Sequence, residues 1–299
     1  MEPAASTRAF PSLPVRIVGR TPAPLLVVAS AFSFQCGAAI ATHLFDDAGP
    51  LGAVWLRQLF GALVLLCLNA GALRRLRTRP IKPVLALGVT LAVMNSLFYS
   101  SIDRIPLGVA VTAEFVGPLA VAVAGSRRPR DFIWIALAAA GVLLLGSPTV
   151  DIDLVGLGMA LGAGACWGCY ILIGKHLGQS WPIFDGLTLS LALAATIMTP
   201  IGILSAGDAL LHPDTLGIAL GVGVLASCVP YALELAALRR MSTATFGILM
   251  SLEPAVAALA GAAILSQALS GPELLAVVLV VIASIGANIR TRDPIPPAA

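Results

Sequence analysis

Ten apolar stretches, at roughly 24–45, 50–70, 82–101, 105–124, 131–147, 154–175, 183–203, 215–236, 243–265 and 272–289, follow one another with only short polar breaks. Each is close to the ~17–25 residues that carry a helix across a bilayer. With no water in the hydrocarbon to bond a backbone, such runs have to be helices or closed barrels, and these are too long for barrel strands. Composition agrees. Charged residues make up 11% of the chain and hydrophobic ones 58%, with a mean hydropathy of +0.96. A soluble domain carries roughly 25% charged residues. The expected fold is an all-α membrane protein of ten transmembrane helices. The run from Leu25 to Phe45 has the length of a span and many spans follow it, so it reads as the first helix and not as a cleaved signal.

The charges orient the bundle. Arg8, Arg16, Arg20, Arg74, Arg75, Arg77, Arg79, Lys82, Arg127, Arg128, Arg130, Lys175, Arg239, Arg240, Arg290 and Arg292 fall in one set of loops. The opposite set holds Arg104 with Asp46, Asp47, Asp151, Asp153, Asp208 and Asp214. Cytoplasmic loops are enriched in Lys and Arg, so both termini are expected in the cytoplasm. The two halves also repeat. Setting Pro118 on Pro254 carries Asp103-Arg104 onto Arg239-Arg240, and Gly37–Phe45 is weakly similar to Cys169–Leu177. Five spans per half is odd, so the second half enters the membrane inverted, a common transporter architecture. The expected organisation is a tail (1–23), a five-helix repeat (24–147), an inverted five-helix repeat (154–289) and a tail (290–299).

Two stretches stand out: Ala113-Glu114-Phe115-Val116-Gly117-Pro118 and Ser251-Leu252-Glu253-Pro254. Each sets a carboxylate and a proline inside an apolar run. Proline lacks an N–H, so Pro118 leaves the Glu114 carbonyl without its helical donor and Pro254 does the same to Met250. Freed backbone at membrane depth is tolerated where it is buried in protein or lines a cavity. Interrupted helices at corresponding places in two halves point to a transporter's binding site. Arg57 lies some seven residues inside the second stretch, about 10 Å deep, at a depth similar to that of Glu114. The two suit either an ion pair or a grip on a zwitterion. Glu253 is placed near the midplane and reads as a cavity residue. Glu234 lies near the cytoplasmic end of its stretch, where snorkelling or pairing with Arg239 is the plainer expectation. Asn95 with Tyr99, Trp167 with Tyr170, and Tyr231 with Glu234 share helix faces and are candidate lining residues.

Other chemistries find little support. Cys166-Trp167-Gly168-Cys169 has metal or redox spacing but no His or acidic neighbour in its run, and the five cysteines all lie in apolar runs. His43, His176 and His212 form no ligand cluster, so no metal and no cofactor are expected. Gly174-Lys175 is followed by His176, and a Walker A loop is missing. A membrane enzyme would need a polar cluster near one interface that these short loops do not offer. The expected partners are the bilayer and a small molecule, not a nucleic acid.

The chain resembles the drug/metabolite transporter superfamily of EamA type, and within it the bacterial threonine/homoserine exporters called RhtA. The resemblance is carried by Gly37–Ala41 with Leu44-Phe45, Gly49-Pro50-Leu51-Gly52 with Leu56-Arg57, and Ala113–Ala120. In the second half it is carried by Ala165–Trp167 with Tyr170–Leu172, Pro230-Tyr231 with Leu233-Glu234, Ala237–Arg240, and Phe246–Ala255. It spans about residues 24 to 290. It implies ten helices, an inverted repeat, and ion-driven export of a small neutral amino acid such as threonine or homoserine. Efflux of drugs or other metabolites is the alternative on the same fold; a lipid-handling enzyme or an assembly subunit is the alternative of another class. On the exporter reading Arg57 and the turns at Pro118 or Pro254 hold the substrate carboxylate. Glu114 or Glu253 then faces the ammonium or carries a coupling proton. One departure stands out: where many members have Leu-Gly-Glu, this chain has Leu265-Ser266-Gln267.

The loop asymmetry generates a topology prediction. In intact cells a membrane-impermeant thiol reagent should modify Ile152→Cys and spare Leu76→Cys. The reverse pattern would contradict both the orientation and the inverted repeat.

Overall fold

The computed structural model describes residues 21–69, 71–124, 132–145, 152–238, 240 and 249–290. Arg8, Arg16, Arg20, Arg127, Arg128, Arg130, Asp151, Arg239 and Arg292 lie outside the described residues. So do most of both tails and the start of the ninth stretch, including Phe246-Gly247-Ile248. The described residues are helical, with no strand among them.

Helix α1 (Ala23–Ala41) opens behind Pro22 with Pro24 in its first turn, where a missing N–H costs nothing. A single 3-10 turn, Thr42–Leu44, leads into α2 (Phe45–Leu68). One continuous helix over Ala23–Leu68 would be roughly 70 Å long, more than twice the ~30 Å hydrocarbon core. Gly49 breaks it with a φ of 66°, a left-handed conformation that glycine adopts without penalty, and Pro50 restarts the helix. The Ser205 hydroxyl stitches this break, donating to the Ala48 carbonyl at 2.8 Å and accepting from the Gly52 N–H at 3.2 Å.

A short helix α3 (Gly71–Arg75) precedes α4 (Lys82–Ile102), α5 (Leu107–Glu114), α6 (Val116–Ala124) and α7 (Phe132–Leu145). Then come α8 (Leu154–Ser180), α9 (Ile183–Ala206) and α10 (Pro213–Gly223). A π turn, Val224–Cys228, joins α10 to α11 (Val229–Leu238). The described chain ends with α12 (Glu253–Leu265) and α13 (Gly271–Arg290). Five segments are long and apolar enough to cross a membrane, and α5–α6, α7, α12 and α13 supply shorter apolar helices. Large apolar side chains such as Leu143, Leu204 and Leu211 are exposed, as a lipid-facing surface requires.

Pairings between the two parts of the chain dominate the packing: α2 on α9, α4 on α8 and α9, and α1 on α11 and α12. α5 lies antiparallel on α12, since Gly108 at the start of α5 meets Ala258, while Leu107 reaches Gln267 just past the end of α12. The Gln267 side-chain oxygen accepts the Leu107 N–H at 3.0 Å. That N–H is one of the orphan donors of a helix start, and Pro106 cannot cap it with a side chain. An uncharged amide fills this role, and the departure at Gln267 thereby gains a structural meaning.

At α8 the Asp153 carboxylate caps the helix, accepting from Val155 and Gly156 N–H groups, and pairs with Arg104 at 3.0 Å. The Arg104 hydrogen bond and then the two backbone N–H groups hold this carboxyl below its usual range. Its contribution is therefore present above the ordinary carboxylate range and fades as pH falls through the lowered value.

The break between α5 and α6 depends on α8. Pro118 frees the Glu114 carbonyl, and that carbonyl occupies the space a Cβ would fill at Gly164. A Cβ at Gly117 would in turn overlap the Gly164 carbonyl. Backbone meets backbone here because both residues lack side chains. Gly164→Val should therefore force the break apart at a cost of about 1–3 kcal/mol. In detergent its Tm should fall by several degrees, while Gly158→Ala, inside the same helix with open space around it, should hold or raise Tm. Equal melting of the two variants would contradict the packing argument.

Candidate functional site

Arg57 is fully buried on α2. A charge at such depth costs at least ~2.5 kcal/mol unless it is solvated or paired. Two neutral residues on α4 meet it. Arg57 Nη2 donates to Asn95 Oδ1 and Nη1 to the Tyr99 hydroxyl at 3.3 Å. The i, i+4 spacing of Asn95 and Tyr99 brings both to the same side of α4. Aromatic faces complete the seat: the guanidinium carbon lies 5.2 Å from the Tyr99 ring centre and 5.5 Å from that of Phe34 on α1. Phe34, Phe45, Phe98 and Tyr99 form one tilted cluster with neighbouring centroids 5.9–6.4 Å apart. Asn95 Nδ2 and Gln58 Nε2 both donate to the Leu91 carbonyl, at 2.7 and 3.3 Å, which fixes the polar strip.

Of the two arrangements that the sequence left open for Arg57 and Glu114, the direct ion pair is not formed. Among the described residues the salt bridges are Arg75–Asp185 and Arg104–Asp153. Glu114, the last residue of α5, is buried, and no hydrogen bond from another described residue reaches its carboxylate. It nevertheless stands within the electrostatic reach of Arg57. Pairing is forgone because Asn95 and Tyr99 hold the guanidinium on the α4 side, whereas the α5 break presents Glu114 beside α8.

Glu253 is the first residue of α12, buried, and within electrostatic reach of Glu114 and Glu234. The antiparallel packing of α5 on α12 puts the last residue of one and the first of the other at the same end. Glu234, on α11, is half-buried and accepts from the Ser30 hydroxyl of α1 at 2.8 Å. Arg239, its alternative partner in the sequence reading, lies outside the described residues. Tyr231 precedes Glu234 by one helical turn and reaches electrostatically towards Arg57 and Tyr99; Tyr170 on α8 reaches towards Tyr231 and Glu234. Trp167 packs its ring edge-on against Phe115 at 5.3 Å, beside the α5–α6 break. Pro118 lies in α6 and Pro254 in the first turn of α12.

A fixed cation with two buried carboxylates, Glu114 and Glu253, and the half-buried Glu234 make a bipolar interior. It suits a small zwitterion, with its carboxylate towards Arg57 and its ammonium towards the glutamates. Ser30, Phe34 and Gln58 also belong to this site and carry no charge that would single them out within apolar runs. The i, i+4 spacing of Ser30 and Phe34, and the adjacency of Gln58 to Arg57, are the signals the sequence offers for them. Cys166 and Cys169 carry free thiols, and no group of His, Cys, Asp and Glu among the described residues could hold a metal.

Comparison with known proteins bears on what this interior serves. Residues 154–289 match the EamA-like transporter family. The threonine/homoserine exporter RhtA of Salmonella typhimurium (strain LT2) is 44% identical over 273 residues, covering 90% of this chain and 92% of the relative. RhtA of Escherichia coli (strain K12) is 43% identical over 274 residues, covering 91% and 92%. The uncharacterized transporter YwfM of Bacillus subtilis (strain 168) is 29% identical over 273 residues, covering 86% and 90%. A solved structure titled "Crystal structure of protein" superposes with a TM-score of 0.62 at 17% identity, over 89% of this chain and 96% of the other, and shares the fold.

Proposed function

The chain belongs to the EamA-like transporter family, and from that premise we propose that it exports threonine, homoserine and similar small neutral amino acids across a bacterial plasma membrane. The observation that carries the substrate class is the bipolar interior: Arg57, held by neutral partners, lies within electrostatic reach of Glu114, and Glu114 and Glu234 lie within reach of Glu253. The two RhtA relatives, threonine/homoserine exporters by name, agree with it.

The proposed architecture is ten spans in two inverted repeats, with both termini cytoplasmic. Support comes from a helix within each of the ten apolar stretches and from the antiparallel pair α5 and α12. These are half-length helices: eight and thirteen residues span about 12 and 20 Å. Their broken ends meet at the site, as expected where two repeats enclose a midplane cavity. Transport then consists of rocking the repeats around a seat that binds both ends of the zwitterion.

Coupling is assigned to Glu253. Pro254 already breaks the backbone, so a purely structural repeat would need no charge beside it. Arg57 carries a permanent charge and cannot release a proton; a carboxyl flanked by two more carboxylates can gain and lose one. Proteoliposomes loaded with labelled threonine or homoserine should release them at a rate that depends on the pH gradient. Glu253→Gln should insert normally and lose at least tenfold in gradient-driven efflux, with its residual rate insensitive to pH. Unchanged rate and pH dependence at equal protein level would remove Glu253 from the mechanism.

A further inference from the structure

Gln35 on α1 is fully buried, and neither its amide oxygen nor its amide nitrogen has a hydrogen-bond partner among the described residues. Buried amides left unpaired are uncommon, because they give up water and gain nothing in return. Two atoms beside the candidate seat share this condition, Arg57 Nε and Gln58 Oε1. Phe34, the residue before Gln35, lays its ring on the Arg57 guanidinium.

The faces of α1 locate the Gln35 side chain further. Ser30, Ser33 and Gly37 occupy the face turned to residues 225–230, through two hydroxyl–carbonyl contacts and a close approach to Ala226. At 3.6 residues per turn Gln35 stands about 140° around the helix from Ser30. That flank is away from the α10–α11 wall. The other helix packed on α1 is α12, whose first residue is Glu253.

The chemistry of the unpaired amide narrows what it receives. A carboxylate takes only donors and an ammonium offers only donors, while a hydroxyl donates and accepts, as an amide does. Arg57 provides for the substrate's carboxylate and the glutamates for its ammonium. An amide with both functions free is left for a hydroxyl. Threonine and homoserine are the same four-carbon amino acid, 2-aminobutyrate, bearing one hydroxyl at successive carbons. A glutamine amide on two rotatable methylenes can follow that hydroxyl from one carbon to the next. Resting on the export proposed above, we infer that Gln35 is the specificity-determining residue that binds the side-chain hydroxyl of the exported amino acid.

The test uses the full-length protein in proteoliposomes, comparing threonine, homoserine and 2-aminobutyrate for the wild type and for Gln35→Met, which keeps the length and removes the hydrogen bonds. The wild type should move the two hydroxylated substrates at least tenfold faster than 2-aminobutyrate, since a site that hydrogen-bonds a hydroxyl discriminates against its absence. In Gln35→Met the hydroxylated substrates should slow at least tenfold while 2-aminobutyrate keeps its rate or gains. The Tm of the variant in detergent should hold or rise, because an unpaired amide is gone. An unchanged substrate ratio in the variant, or a wild type indifferent to the hydroxyl, would overturn the role of Gln35 alone. A variant with lowered Tm that loses all three substrates alike would identify a packing residue and overturn it too. A wild type that moves none of the three would overturn the export itself, and this inference with it.

Discussion

A permanent positive charge with no carboxylate in salt-bridge contact among the described residues stands at the centre of this bundle, and the surroundings are arranged to bear it. Arg57 has neutral hydrogen-bond partners, Asn95 and Tyr99, and two aromatic faces. A guanidinium over a ring gains roughly 0.5–2 kcal/mol, more when desolvated. These contacts stabilise the charge without neutralising it. Had Glu114 closed on Arg57, the two would have satisfied one another, and an incoming carboxylate would have had to break a buried pair, at a cost of several kcal/mol. On the proposed export, Arg57 and Glu114 kept apart are each available to one end of a zwitterion. The absent ion pair is thus a property of the site and not a defect in it.

Keeping them apart is the work of the broken helices. Pro118 and Pro254 each remove one backbone hydrogen bond; the freed Glu114 carbonyl is packed against Gly164 of α8, and at the other end of α5 the Gln267 side chain takes up the Leu107 N–H that the helix start leaves open. The result is two short antiparallel helices whose free ends carry Glu114 and Glu253. A carboxylate at a helix end is also easier to move than one in mid-helix, because fewer ladder bonds constrain its backbone. That links the local sequence to the rocking motion proposed for transport. Arg104 with Asp153 and Ser205 with the Gly49 break hold two further joins between helices.

How much of this the sequence discloses follows from the range of each interaction. The helical class and the positions of the two breaks are legible because they are set by local content, apolar run length and proline. Arg57, Glu114 and Glu253 are legible because charge in hydrocarbon is costly wherever it lies. The Asn95–Tyr99 pairing is half-legible: spacing puts both on one face but cannot say that Arg57 is what they face. Ser30 beneath Glu234, Gln267 capping α5, and Gly164 opposite the freed carbonyl join residues 204, 160 and 50 positions apart in sequence. Nothing local to either partner announces such contacts. Gln35 and Gln58 were hidden for a related reason: an uncharged amide in an apolar run stands out only when its unmet hydrogen bonds are seen.

The central claim, that the unneutralised Arg57 seats the substrate carboxylate, is tested most directly by calorimetric binding of threonine and of threonine amide, which lacks the carboxylate charge. Wild-type protein should bind threonine at least tenfold more tightly than the amide. In Arg57→Gln, which keeps hydrogen bonding and removes the charge, the two ligands should bind within about threefold of each other, as expected when one partner of a coupled pair is gone. If Arg57→Gln retains the wild-type preference for the carboxylate, the carboxylate is held elsewhere and the account of the site is wrong.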